Sequence, residues 1–446
     1  MTATTAPKAG RAGEPLRPPL PETLADTGLS AEFVADLMLK ALYLQGARTG
    51  QQLMETIKLP FPFLDEQLMA LQQRRLIEVR GTRGAGRGGY MFDLTGEGRT
   101  RAREALESSQ YVGPAPVPLE QYREWCHHQS ISRVHVTREE VRDGFRQMVI
   151  ADAVLEMLGP AINSAKSLFL YGGPGNGKTL IAETISGLLG GNLYIPYALE
   201  VEGQILVLFD PVYHHEVVEL EPEAGDDEPT WLKHVPEHDR RYVLVRRPVV
   251  ITGGELTLDQ LDLQFDAYTK MYQAPFQLKA NGGVLILDDF GRQRTAPRDL
   301  LNRWIVPLEK RIDYLSLHTG SKFPVPFDSL LIFSTNLSPH ELVEEAFLRR
   351  IHYKLHVLGP TEDSYEEIFR RCCAEREIPF PEWAVPQLYE HYYGTRGITP
   401  RNCHPRDVLD HFLDLVRYID TPARLTPDLL TRACNSYFLD APQEET

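Results

Sequence analysis

The sequence predicts an α/β chain: a parallel-sheet core, a helical domain after it and a small α+β domain before it. Three observations carry this. The glycine-rich run GGPGNGKT (172–179) lies between a short apolar strand and a helical pattern. Two further apolar runs, 284–287 and 329–333, end in Asp288-Asp289 and Thr335-Asn336, the pattern of buried parallel strands meeting a functional edge. Finally, 446 residues exceed one hydrophobic core and suggest about three units at ~150 residues each.

Along the chain, residues 1–29 are Ala-, Pro- and Thr-rich, lack the apolar stretch of a secretion signal and are expected to form a disordered tail. Ser30 can cap a first helix with Phe33, Leu37, Ala41 and Leu44 on one face. A short helix from Thr49 and a third, LDEQLMALQQRRL, follow. Then come the strands IEVRG and GYMFDLT, joined by TRGAGRG, and a closing helix GRTRAREALESS. This order over 30–110 resembles a winged-helix domain. Its third helix and hairpin tip carry Arg74, Arg75, Arg80, Arg83 and Arg87, and residues 74–103 hold a net +5 in a chain of net charge −15. Two readings stand: duplex DNA contacted by these arginines, weakly and with strong salt dependence, or a solvated face and protein-docking module. A uniformly basic nucleic-acid coat is excluded by the overall charge. The stretch 111–130 opens with YVGPAPVPLE and reads as a semi-rigid linker.

The core, 131–358, begins with a capping box at Thr137 and Glu140 that opens one helix, EEVRDGFRQMVIADAVLEML. In 172–179 the spacing is G-x-x-x-x-G-K-[ST], with the strand and helix that confirm it. Gly172, Gly173, Pro174, Gly175, Asn176 and Gly177 form a loop whose backbone N–H groups can converge on phosphate oxygens. The helix N-terminus adds positive potential. Lys178 is expected to reach the β- and γ-phosphates, and Thr179 to coordinate Mg²⁺. Asp288 is expected to complete the metal shell, Asp289 to orient water, and Asn336 to bond the γ-phosphate or that water.

In order and spacing these motifs resemble those of the AAA+ ATPase superfamily over about 135–440: Walker A at 172–179, Walker B at 284–289 and sensor 1 at Asn336. The resemblance implies a P-loop NTPase core, ATP and Mg²⁺ as cofactors, ATP hydrolysis between subunits of a ring or arc, and remodelling of a protein or DNA client. It implies an arginine finger one helix beyond sensor 1, where Arg350 matches best and Arg349 second. It also implies a helical lid, here the helical patterns within 359–440, with a sensor-2 arginine at Arg406. A nucleotide-gated DNA-binding regulator with slow or no hydrolysis is the competing reading.

Asp289 stands where the superfamily mostly has Glu, one methylene longer, which bears on turnover. The 109 positions between Thr179 and Asp288 accommodate an insertion at about 200–280, with strands expected in 205–210 and 242–252 and an acidic run at 217–229. His214 and His215, adjacent on a strand, would point to opposite faces and so make a poor metal pair. Residues 311–329 fit a hairpin that either engages substrate in a ring pore through Lys322 and Phe323 or is a plain edge hairpin. Five cysteines without CxxC spacing (Cys126, Cys372, Cys373, Cys403, Cys434) fit a reducing, cytoplasmic setting, and no apolar run approaches the ~18 residues of a membrane span.

Overall fold

The structure, a computed structural model, describes residues 16–84, 86–218, 238–342 and 348–438. The first unit is α1 (Ala31–Gln45), β1 (Arg48–Thr49), α2 (Gly50–Ile57), α3 (Phe61–Gln73), β2 (Ile77–Thr82), β3 (Tyr90–Leu94) and α4 (Gly96–Ser108). Its strands form an antiparallel sheet in the order β1-β3-β2. Ser30 Oγ accepts the Phe33 N–H at 3.1 Å, and Thr49 and Gln52 satisfy each other reciprocally in a capping box. The buried stripe of α1 is wider than expected, running from Val34 to Leu42, while Leu44 is exposed. The helix meets neighbours on two sides, so the periodic face understates its burial.

Two segments depart from expectation. Residues 16–29 are ordered, not a tail: Pro18 O accepts the Asp239 N–H at 3.1 Å, and Thr27 O accepts from Arg241 Nη1 at 2.8 Å. Nor is 111–130 a linker held off the domains. Tyr111, Ala115 and Val117 are buried, β4 (Val117–Pro118) pairs parallel with a later strand, and α5 (Leu119–His128) buries Tyr122 and Trp125. The cause lies far along the sequence. Arg241, 2% exposed, pairs with Asp239 at 2.7 Å and also donates to Gln121 Oε1 at 3.2 Å. A buried guanidinium left unpartnered is strongly unfavourable, so tail, linker and insertion are held together around it.

The core helix expected over 139–158 is two, α6 (Arg138–Gly144) and α7 (Asp152–Ser164). Gly144 lies so close to Leu188 that a Cβ would stand 2.4 Å from it, and the chain turns there. Then follow β5 (Ser167–Tyr171), α8 (Lys178–Leu188), β6 (Asn192–Pro196), β7 (Ala198–Val201), β8 (Gln204–Val207), β9 (Tyr242–Arg246) and β10 (Val249–Thr252). The single strand read in 242–252 breaks at Pro248, which has no N–H for a ladder. β9 pairs with β6, and β10 joins the central sheet. Next come β11 (Gln264–Asp266), β12 (Met271–Gln273), α9 (Phe276–Lys279), β13 (Val284–Leu287), α10 (Pro297–Arg303), α11 (Ile305–Lys310), β14 (Ile312–Ser316), β15 (Lys322–Pro326), β16 (Leu330–Thr335), α12 (Pro339–Leu342) and β17 (Tyr353–His356). The central sheet has the order β10-β13-β16-β5-β17, and every pairing in it is parallel. β13 and β16 are buried along their whole length, as a sheet covered on both faces requires. The inserted strands, joined by β4, build a second sheet, β11-β12-β8-β7-β4. The acidic run beyond Val218 lies outside the described residues.

The hairpin β14–β15 forms as expected, but Phe323 is 5% exposed and packed in the core of the second sheet, while Ser321 Oγ donates to Glu202 at 2.9 Å. Phe323 is therefore core, not a substrate-facing tip. His214 is structural: its Nδ1 accepts the Asp210 N–H at 2.9 Å, so Nε2 carries the proton that faces Lys279 O at 2.9 Å. Burial pulls its pKa down to about 4. Since the unfolded chain binds this proton near pH 6.5 and the folded chain does not, stability falls as pH drops from 6.5 toward 4. Between pH 7 and 5 the expected loss is about 2 kcal/mol from this residue. Denaturant titrations at both pH values check it, with His214→Gln flattening the difference.

The chain ends in α13 (Glu362–Glu375), α14 (Ala384–Leu388), a π-helical turn at Tyr389–Gly394, α15 (His404–Tyr418) and α16 (Pro427–Tyr437). These share a core of Tyr365, Phe369, Leu388, Phe412 and Leu430. No described helix is long and apolar enough to cross a membrane.

Candidate active site

Because the central strands are parallel, their carboxyl ends share one edge, and the motif residues meet there. β5 runs into the 172–177 loop and α8 starts at Lys178. Gly172, Gly175 and Gly177 take φ of 145°, 77° and 87°, values that strain a residue with a Cβ. At Gly172 a Cβ would also stand 2.2 Å from Val357 O. Gly172→Ala is therefore expected to destabilise the core by roughly 1–3 kcal/mol and to weaken nucleotide binding, read by thermal unfolding and titration. Gly173 and Pro174 lie exposed on the loop, and Asn176 is buried at its base.

Lys178 Nζ donates to Gly172 O at 3.0 Å, Gly173 O at 2.9 Å and Asn336 Oδ1 at 2.6 Å. Burial lowers its pKa from the ordinary lysine value, while Asp288 and Asp289 oppose that shift and favour the ammonium. Thr179 Oγ1 donates to Asp288 Oδ2 at 2.8 Å, and Asn336 Nδ2 donates to Asp289 Oδ1 at 3.1 Å. These five side chains come from α8 and the ends of β13 and β16, so one hydrogen-bonded cluster spans the edge.

This donor set fits a magnesium triphosphate. A hydroxyl beside a carboxylate offers the one or two protein ligands that Mg²⁺ takes when phosphates and water complete its shell. The glycine loop and ammonium match phosphate oxygens.

The remaining expected residues are not members of this hydrogen-bonded cluster. Arg350 is half-buried, its Nε 2.5 Å from Glu309 Oε1. Arg349 beside it is exposed. Arg406 opens α15 as expected but is exposed and pairs with Asp407 at 2.9 Å. The part of the helical domain bonded to the loop lies earlier: Cys403 N–H donates to Gly175 O at 2.9 Å, and Asn402 Nδ2 donates to Asn176 O at 3.1 Å. Arg401 sits close, its Cδ 3.5 Å from where a Gly175 Cβ would be. The run PRNC offers no periodicity, and half of its docking is backbone, so only the neighbouring arginines hinted at it.

A cavity of about 660 Å³ opens at the opposite, amino-terminal edge, lined by Arg123, Lys166, Arg311 and Asp328 among others. Three of its cations are engaged, Arg123 and Arg311 by Pro324 O and Ser329 O and Lys166 by His352, and it has no glycine loop to offer converging N–H groups.

A glycine loop at the carboxyl edge of a parallel sheet, with Lys-Thr behind it and paired carboxylates facing it, defines a P-loop NTPase α/β core. Residues 361–436 match a family model described as a domain of unknown function, DUF8689. A search of curated proteins finds no match. Among solved structures, the chain is similar to the RuvB Holliday junction branch migration motor of Thermotoga maritima at 14% identity, covering 69% of this chain and 72% of that one, with a TM-score of 0.35. It is similar to NtrX from Brucella abortus at 16% identity, covering 69% and 60%, with a TM-score of 0.38. NtrX in complex with ATP matches at 14%, covering 77% and 64%, with a TM-score of 0.37.

Proposed function

We propose that this protein binds Mg-ATP at 172–179 and hydrolyses it at subunit interfaces, using the resulting motion to remodel a partner. The observation that supports the reading best is the continuous chain from Lys178 through Asn336 to Asp289, 2.6 and 3.1 Å long, beside the Thr179–Asp288 pair. Lys178 and the loop amides would bind the phosphates, and Thr179 and Asp288 would hold Mg²⁺. When bound, that ion neutralises charge on the phosphoryl group. Asp289 orients water as its proton acceptor, and Asn336 keeps Asp289 and Lys178 in register. An arginine from a neighbouring subunit completes the charge. The lid segment 401–403, bonded to the loop, is placed to transmit the change in phosphate occupancy to the helical domain.

An ATPase assay over a range of protein concentrations, with and without duplex DNA, tests this. Specific activity rising with concentration supports interface hydrolysis. Binding without turnover at any concentration supports the nucleotide-gated regulator instead.

The first unit bears on the choice. Arg80 pairs with Asp93 at 2.9 Å and Glu78 at 3.2 Å, and Arg87 with Asp65 at 2.6 Å. The exposed face of α3 carries Glu66, Met69, Ala70, Gln72 and Gln73, a surface with no cation to meet phosphate. Arg74, Arg75 and Arg83 stay exposed, enough for about three phosphates. We therefore favour protein docking for this winged-helix-like unit; a salt-sensitive mobility shift lost on replacing those three arginines would restore DNA.

A further inference from the structure

Asp289 has φ 47°, a left-handed conformation that strains a residue with a Cβ. Such strain persists only where surrounding bonds impose it. Here the 288–293 turn is fixed at several points. Phe290 N–H donates to Ser334 O at 2.7 Å and Arg292 N–H to Asp289 O at 3.0 Å. Asp289 N–H donates to Asp288 Oδ1 at 3.0 Å. The side chain that ties the turn together is Gln293, 9% exposed. Its Nε2 donates to Asp288 O at 3.1 Å and Asp289 O at 3.3 Å, and its Oε1 accepts the Gly291 N–H at 2.7 Å. One amide thus grips the backbone of both Walker B carboxylates and the glycine that follows them.

We propose that Gln293 is a positioning residue for hydrolysis: its amide closes the turn that holds Asp289 left-handed, and so fixes the Asp289 carboxylate against Asn336 where water would be oriented. This rests on the proposed role of Asp289 as the water-orienting group. It gives a physical account of how a carboxylate one methylene shorter than Glu serves that role: the backbone is locked in an unusual conformation, and the side chain has fewer rotors to fix. The bonds of Gln293 run to main-chain groups of 288, 289 and 291. Its effect passes through main-chain carbonyls 288 and 289.

The test uses the full chain with Gln293→Met, which keeps length and loses every hydrogen bond, and Gln293→Glu, which keeps the acceptor for Gly291 and loses both donors. ATP titration, steady-state turnover and melting temperature are measured on each. Both variants are expected to lose ~10–100-fold in kcat, with ATP affinity and KM within about twofold of the parent and melting shifted by no more than about 4 °C. Turnover within twofold of the parent in either variant overturns the proposal. So does a parallel fall of affinity, turnover and melting temperature in both, which marks a purely structural turn. A parent chain that binds ATP without hydrolysing it removes the proposed activity and this role together, and that outcome is seen before either variant is made.

Discussion

Replacing Lys178 with alanine is expected to raise the ATP dissociation constant by ~100-fold or more. The ammonium stands 2.9–3.0 Å from two loop carbonyls and 2.6 Å from Asn336 Oδ1, so it is already fixed at the base of the loop before any phosphate arrives. Little side-chain entropy remains to be lost on binding. Charge-assisted hydrogen bonds contribute roughly 1.5–3 kcal/mol each, and losing about 3 kcal/mol corresponds to a factor of ~150. The variant also leaves Asp288 and Asp289 without the cation that faces them and strips Asn336 Oδ1 of its donor. Arginine is not expected to substitute, because the pocket that seats one ammonium between three oxygens does not fit a planar fork. Calorimetric titration of the purified chain with Mg-ATP checks this, and an alanine variant that binds ATP like the parent would remove the phosphate-loop reading altogether.

The parts of the site legible in the sequence are those where local chemistry dictates a residue. Gly172, Gly175 and Gly177 are required by backbone conformation, Lys178 and Thr179 by phosphate and metal, and the apolar runs before Asp288 and Asn336 by burial on both faces of the sheet. Each signal is complete within about ten residues. What stayed hidden depends on partners far away. Gly28 and Pro118 pack so closely that a Cβ on the glycine would stand 2.8 Å from the proline ring, yet 1–29 and 111–130 read as tail and linker because nothing within either segment announces Arg241. The break between α6 and α7 falls after Gly144, against which Leu188 packs, and the helical pattern of the sequence runs through it unmarked. The bond from the C-terminal helical domain to the loop through Cys403 N–H uses a group that every non-proline residue has. Gln293 bonds only to main chain, so no spacing rule marks it. Composition counts Glu78 and Asp93 against the arginines of 74–103 but cannot show which arginines they pair with, or that Asp65, outside the stretch, takes Arg87.

Removing the arginine proposed to act between subunits is expected to produce the largest loss of turnover, ~10³-fold, with ATP binding intact. The motif match ranks Arg350 ahead of Arg349, and the geometry argues for the reverse order. Arg350 donates through Nε to Glu309 at 2.5 Å and is half-buried. To reach a neighbour's phosphate it would first have to give up that charged pair, an exchange that costs about 1 kcal/mol for a partly exposed bridge. Arg349 is exposed on the same turn and can extend without breaking it. We therefore expect Arg349→Ala to stop hydrolysis and Arg350→Ala to slow it ~10-fold by loosening the turn from α11. Glu309→Gln separates the two roles: if Arg350 serves only as the tether, this variant reproduces its modest defect, whereas if Arg350 is the finger, freeing it from Glu309 leaves turnover unchanged or raises it. Mixing parent with Arg349→Ala subunits adds the second criterion. A finger that acts in trans makes activity fall faster than the fraction of variant, since each lost arginine silences the site next door, while a linear decline would place the arginine's action within its own subunit.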